Sequence, residues 1–241
     1  MAERPTAVLV TGASSGIGLA ICKRFLAQGR EVVNLSLEAS PIHDPRLHDY
    51  TVDLSDRQAL GSLITKLVEQ FSIDIFIHNA GALKEALLDS VCLEDFDTLV
   101  GLHLTSAVQI AKAVVPDMRG RGHGRIVFIS SKAAMGRPKR TSYSATKAGM
   151  WGMAKTWALE LARSGITVNV VAPGPVRTPQ FRSVVSEDQD AGWAAAVPVG
   201  RLGEPDDIAH AVNFLADRDS SFITGQVIFV CGGTSIGFAA D

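Results

Sequence analysis

Tyr143 and Lys147 stand four residues apart in the stretch SYSATKAG, residues 142–149. On a helix that spacing places a phenol and an ammonium on one face, within reach of each other. A phenol of pKa ~10 is a poor proton carrier at neutral pH, and bringing it to about 7 takes about 4 kcal/mol. One ammonium ~4 Å away in a medium of effective dielectric ~20 supplies about that much. Two readings follow: a solvated surface pair, or a general acid/base held beside a cation.

The stretch VLVTGASSGIGLA, residues 8–20, also carries chemistry. It follows an apolar run and opens a helix-periodic segment. Gly12, Gly16 and Gly18 permit a tight turn and let the backbone approach a pyrophosphate at a helix N-terminus. The alternative is a glycine-rich turn that serves strand–helix packing alone.

The elements that must position these residues alternate along the chain. Short runs at 7–10, 31–35, 50–52, 73–77, 125–129, 167–171 and 226–230 read as strands, several nearly continuous in β-branched residues. Strands buried on both faces have that composition. Helical periodicity occupies 17–28, 56–70, 94–119, 142–163 and 205–217. The alternation predicts an α/β, Rossmann-type doubly wound fold: a seven-stranded parallel sheet flanked by helices on both faces, in one domain over residues 1–241. Residues 36–48, with two prolines, predict a crossover loop in place of a helix. The long connection 173–203 predicts a substrate lid over about 175–203.

Among 241 residues, 23 Lys and Arg face 25 Asp and Glu. This balance gives no electrostatic case for nucleic acid or an anionic membrane as partner. No apolar stretch is read as reaching the ~18 residues of a membrane span. The opening residues enter a strand-like run without the apolar core of a secretory leader, so a cytoplasmic location is expected. Cys22, Cys92 and Cys231 are widely spaced and read as buried small hydrophobes. His43, His48 and His123 fall in loop-like stretches without ligand spacing, so they read as solvated and no metal is predicted.

Six motifs in order, TGASSGIG, HNAG (78–81), ISS (129–131), YSATK (143–147), PGPVRT (173–178) and ITGQVIFVCGG (223–233), resemble the short-chain dehydrogenase/reductase family. The resemblance spans the chain and is greatest to the single-domain branch with 3-oxoacyl-[acyl-carrier-protein] reductases and polyol and hydroxysteroid dehydrogenases. It implies NAD(P)-dependent interconversion of a secondary alcohol and a ketone, with Tyr143 as acid/base and Lys147 lowering its pKa and holding ribose hydroxyls. A serine would hold the substrate oxygen. Family spacing from the tyrosine selects Ser130, whereas the second serine of ISS, the usual actor, is Ser131; Ser131 is favoured, with one residue deleted before Gly136. His103 stands where the family has an asparagine that holds a relay water, and a neutral imidazole could replace it.

For the cofactor the resemblance implicates Gly12, Ser14, Ser15, Gly16, Ile17 and Gly18 at the glycine loop and Ser36 after the second strand. It places Asp53 and Leu54 at the adenine, and Asn79, Ala80 and Gly81 at its ribose. Pro173, Gly174, Val176 and Thr178 would lie at the nicotinamide, together with Tyr143 and Lys147. Asp53 reads equally as a helix cap. NAD or NADP is expected, leaning to NAD because Ser36, Leu37 and Glu38 offer no cation for a 2′-phosphate; Arg46 folding back would reverse that. Substrate selectivity is assigned to 132–142 and 179–200, with Phe181 and Trp193 as apolar contacts. In FVCGG the family often has aspartate at Cys231, near the assembly region. Relatives imply a homotetramer. Two rival readings are a dinucleotide-binding regulator without turnover and a nucleotide-sugar epimerase or dehydratase; the latter carry a different glycine spacing and a larger C-terminal region.

Overall fold

A computed structural model describes residues 4–237. Seven strands form one parallel sheet: β1 (Thr6–Thr11), β2 (Glu31–Ser36), β3 (Leu47–Thr51), β4 (Ser72–His78), β5 (Gly124–Ile129), β6 (Ile166–Pro173) and β7 (Val227–Val230). Their order is β3-β2-β1-β4-β5-β6-β7. The chain runs outward from β1 to β3, then crosses back to β4, so the direction of winding reverses between β1 and β4. A crevice opens beyond the carboxyl ends of the strands at such a reversal.

The composition of the strands follows from their position. All of β4, β5 and β6 is buried, as the apolar runs require. On one face lie α2 (Arg57–Gln70), α3 (Leu93–Val100), α4 (Ser106–Arg121) and α5 (Thr141–Leu161). Leu60, Ile64, Ile110, Val114, Met150 and Ala154 from these helices pack on Leu9, Phe76, Ile126 and Val168. On the other face α1 (Gly16–Ala27) and α8 (Pro205–Ala216) bury Ile21, Phe25, Ile208 and Val212 against Val8, Val10, Ile75 and Val171. The expected α/β doubly wound architecture is the one observed.

Several boundaries differ from expectation for physical reasons. The third strand begins at Leu47 and pairs with Val32–Ser36 of β2, so edge pairing overrides its polar composition. His48 is therefore a strand residue, its Nε2 2.7 Å from Glu31 Oε2 and its ring 4.6 Å from that of Phe71. The helix expected at 94–119 contains a π-helical turn, Gly101–Thr105, between α3 and α4. Taken as one, Leu93–Arg121 is long and apolar enough by composition to cross a bilayer, contrary to the expectation; here it packs against β4 and α5. Cys22 and Cys231 are buried but Cys92 is exposed, its thiol donating to Glu94 at 2.9 Å. Between β2 and β3 there is no helix, as the prolines suggested. The connection after β6 carries two short helices, α6 (Pro179–Arg182) and α7 (Asp190–Ala195), clamped by Arg177 and Arg182 on Asp190.

Candidate active site

A cavity of about 830 Å³ lies beyond the carboxyl ends of β1, β4, β5 and β6. Gly12, Ser14, Ser15, Gly16 and Ile17 line it at the start of α1, and Ser36, Asp53 and Leu54 at one end. Asn79, Ala80 and Gly81 line it beyond β4, and Pro173, Gly174, Val176 and Thr178 beyond β6. Ser131, Tyr143 and Lys147 complete the wall. Gly18 and His103 are not on it. A Cβ at Gly18 would lie 2.1 Å from the Gly12 carbonyl oxygen, so this glycine lets α1 close on the loop.

Ser15, the N-cap of α1, makes no side-chain capping bond, and the first turn holds no acidic residue. The uncapped helix terminus opens on the cavity, an arrangement that suits a phosphate. By contrast α2 is capped by Asp56, which accepts from the N–H groups of Gln58 and Ala59 at 2.9 and 3.0 Å. Asp53 is therefore not the cap; it accepts from Ser55 N–H at 2.8 Å and stays on the wall.

The strand ends are locked together beneath the cavity. Thr11 Oγ1 accepts from the N–H groups of Asn79 and Ala80, each at 3.0 Å, and its hydroxyl faces His78 Nδ1 at 3.1 Å. His78 Nε2 then donates to the His103 carbonyl at 3.1 Å. The Ala82 N–H donates to His103 Nε2 at 3.2 Å, so Nδ1 carries the hydrogen and donates to Thr146 Oγ1 at 2.8 Å. Thr146 sits in α5, one residue before Lys147, and its hydroxyl turns to the carbonyls of Ser142 and Tyr143. Both ring nitrogens of His103 thus have protein partners, and no position remains for the relay water expected there. Burial, with Lys147 second, holds both imidazoles neutral: His78 falls to about 3 and His103 lies well below the usual range.

Lys147 is 3% exposed, and its Nζ donates to the Ile129 carbonyl at 2.8 Å. No other protein acceptor for its remaining N–H bonds occurs among the described residues. Desolvation lowers its pKa from 10.5 to about 7. The ammonium lies 5.8 Å from the centre of the Tyr143 ring. Burial raises the Tyr143 pKa above 10, opposed by hydrogen bonds with Ser131 and Gln180 and by the charge of Arg140. The expected acidification of the phenol by Lys147 is absent in the protein alone, where burial outweighs the groups around the hydroxyl.

The two candidate serines separate cleanly. Ser130 is 3% exposed; its hydroxyl donates to the Lys147 carbonyl and accepts from Trp151 Nε1, both at 2.8 Å. Ser131 faces the cavity, hydrogen-bonds Tyr143 and accepts from the Ala133 N–H at 3.1 Å. Gln180, from α6, has no motif to announce it. Arg46 does not fold back toward Ser36; it pairs with Asp44 at 2.8 Å. Among the described residues no group of three or more His, Cys, Asp or Glu side chains could hold a metal.

A family model described as enoyl-(acyl carrier protein) reductase matches residues 12–235. The 3-oxoacyl-[acyl-carrier-protein] reductase FabG of Escherichia coli (strain K12) is 38% identical, covering 93% of this chain and 95% of the relative. The chain belongs to the short-chain dehydrogenase/reductase family. A second member, the (2S)-[(R)-hydroxy(phenyl)methyl]succinyl-CoA dehydrogenase subunit BbsD of Thauera aromatica, is 38% identical over 95% of this chain and 96% of that one. A solved protein from Beutenbergia cavernae, described as a candidate NAD(P)-dependent gluconate 5-dehydrogenase with NADP bound at low occupancy, superposes with a TM-score of 0.86 at 30% identity, covering 97% of each chain. As a short-chain dehydrogenase/reductase, the chain is an NAD(P)-dependent oxidoreductase.

Two outcomes test this geometry. Ser130→Ala strands the Trp151 N–H and is expected to cost ~1–3 kcal/mol of stability, whereas Ser131→Ala costs less than ~1. Urea unfolding of both variants checks the order, and a larger loss at Ser131 contradicts it. For Lys147, the unfolded chain holds a proton that the folded chain sheds between about 7 and 10.5, so stability gains from this group as pH rises through that window. The stability of wild type relative to Lys147→Met should therefore increase across it; a flat difference contradicts the depressed pKa.

Proposed function

We propose that this family member interconverts a ketone and a secondary alcohol by hydride transfer, with Tyr143 as general acid/base. The observation that carries the reading is the convergence of Tyr143, Ser131 and Lys147 on the same cavity wall as the uncapped N-terminus of α1. A bound nicotinamide dinucleotide supplies or accepts the hydride. In reduction Tyr143 gives its hydroxyl proton to the carbonyl oxygen as hydride reaches the carbon; in oxidation it takes the proton back. Ser131 holds that oxygen, and Gln180 is a second side chain hydrogen-bonded to the phenol.

Lys147 is suited to ribose hydroxyls, which offer the acceptors that its buried N–H bonds lack. Gaining them raises its pKa and restores the cation beside Tyr143. His103 acts as a positioning residue: it ties the π turn to Thr146 and hence to the helix bearing the pair. Gly12, Ser14, Ser15, Gly16, Ile17, Ser36, Asp53, Leu54, Asn79, Ala80, Gly81, Pro173, Gly174, Val176 and Thr178 form the cofactor wall, with Gly18 supporting it. NAD is favoured over NADP, because Ser36, Leu37, Asp53 and Ser55 line the adenosine end with no Lys or Arg among them. Residues 1–241 form one nucleotide-binding domain, of which 1–3 and 238–241 lie outside the described residues, and about 175–203 serve as its lid. The chain works as a cytoplasmic homotetramer.

A panel of ketones and secondary alcohols, run with both cofactors and followed at the reduced-nicotinamide band, tests the reading. Tyr143→Phe is expected to lower kcat by about 10²–10⁴ while leaving cofactor affinity intact. Undiminished turnover in the folded variant, or cofactor binding with no redox activity on any pair, overturns it.

A further inference from the structure

Charge is divided along the cavity. Among the described residues its single lining carboxylate, Asp53, lies at the end near Ser36 and Leu37. Lys132, Arg137 and Arg140 line the opposite end, beyond Ser131 and Tyr143, with no carboxylate among the described lining residues there. The two arginines differ. Arg140 is 6% exposed and ion-paired with Glu85, which fixes the loop 132–140 against the segment after β4; the backbone adds an Ala86 N–H to Lys139 carbonyl bond of 3.1 Å. Arg137 has no carboxylate within ion-pair distance among the described residues. Its guanidinium instead lies 5.0 Å from the centre of the Trp193 ring.

That contact leads back toward Tyr143. Trp193 meets Phe181 edge-on, with ring centres 5.5 Å apart, and Phe181 follows Gln180, the hydrogen-bond partner of Tyr143. A cation–π contact consumes none of the guanidinium's N–H bonds, which leaves them available to a two-pronged oxyanion. Phe181, Val184 and Trp193 line the same end of the cavity and supply the apolar walls for a carbon chain.

We infer that the substrate is an anion: a ketone or secondary alcohol bearing a carboxylate or phosphate remote from the reacting carbon, with Arg137 holding the acid group. The inference rests on the proposed oxidoreductase activity for the word substrate, but the acid-binding site stands on the charge layout alone. Occupancy of Arg137 also bears on Trp193, and through Phe181 and Gln180 on the phenol, so the acid group helps to set the lid.

The test pairs each acid with a neutral counterpart: acetoacetate and levulinate with their methyl esters, and dihydroxyacetone phosphate with dihydroxyacetone. Binding is measured by calorimetry on the full chain, and turnover with both cofactors. At least one acid should bind about ten- to hundredfold more tightly than its partner, the worth of a charge-assisted bond. Which pair shows the preference distinguishes carboxylate from phosphate. Arg137→Gln should bring the acid-to-neutral ratio in affinity and in kcat/KM toward one, and Arg137→Lys should restore part of it. Arg137 is exposed, so these variants retain the core. Equal binding of every acid and its partner overturns the inference, as does a preference that survives Arg137→Gln. Acid binding without turnover leaves the site standing and counts against the oxidoreductase reading instead.

Discussion

A buried ammonium without a carboxylate is the constraint on which this site turns. Removing a charge from water costs several kcal/mol unless hydrogen bonds or an opposite charge replace the solvent. Lys147 has one such bond, to the carbonyl at the end of β5, and its pKa falls to about 7 in consequence. A protein tolerates that cost where function needs the group poised. Here burial favours the uncharged amine, and the phenol beside it stays protonated.

The surrounding structure reads as the means of holding that arrangement still. Two neutral histidines with fixed tautomers form a polar line from Thr11 at the end of β1, through His78 and the π turn, to Thr146 in α5. Each nitrogen in the line is matched, so burial costs little, whereas a single unmatched donor would cost 1–3 kcal/mol or so. Within the π turn the His103 carbonyl accepts from His78 and the His103 ring donates to Thr146 of α5, and such turns are frequent at functional sites. The winding reversal between β1 and β4 makes the crevice, and the line spans it.

Much of this was legible in residue types. Continuous β-branched runs marked the central strands, and Gly12, Gly16 and Gly18 in their context marked the turn into α1. The Tyr143–Lys147 spacing put both side chains on one helix face, as found. What escaped were features that depend on distance in space. No pattern says that a lysine will reach for Ile129, that Gln180 will meet a phenol thirty-seven positions earlier, or that Arg137 will lie on Trp193. His103 looked like a substitute in a water relay because its neighbours were unknown; its ring is spent on Ala82 and Thr146. Counting could not separate Ser130 from Ser131; in space Trp151 and the Lys147 carbonyl engage the first, while the second hydrogen-bonds Tyr143.

In the proposed function, bound cofactor returns the charge to Lys147 and so turns a reluctant phenol into a base. The chain holds only two tyrosines, so tyrosinate absorbance in wild type minus Tyr143→Phe reports one hydroxyl. Titrated alone, Tyr143 should ionise above 10, in the direction burial imposes. Titrated with saturating NAD⁺, it should ionise below 10, toward neutrality. An ionisation that stays above its ordinary value with the cofactor bound would contradict the account.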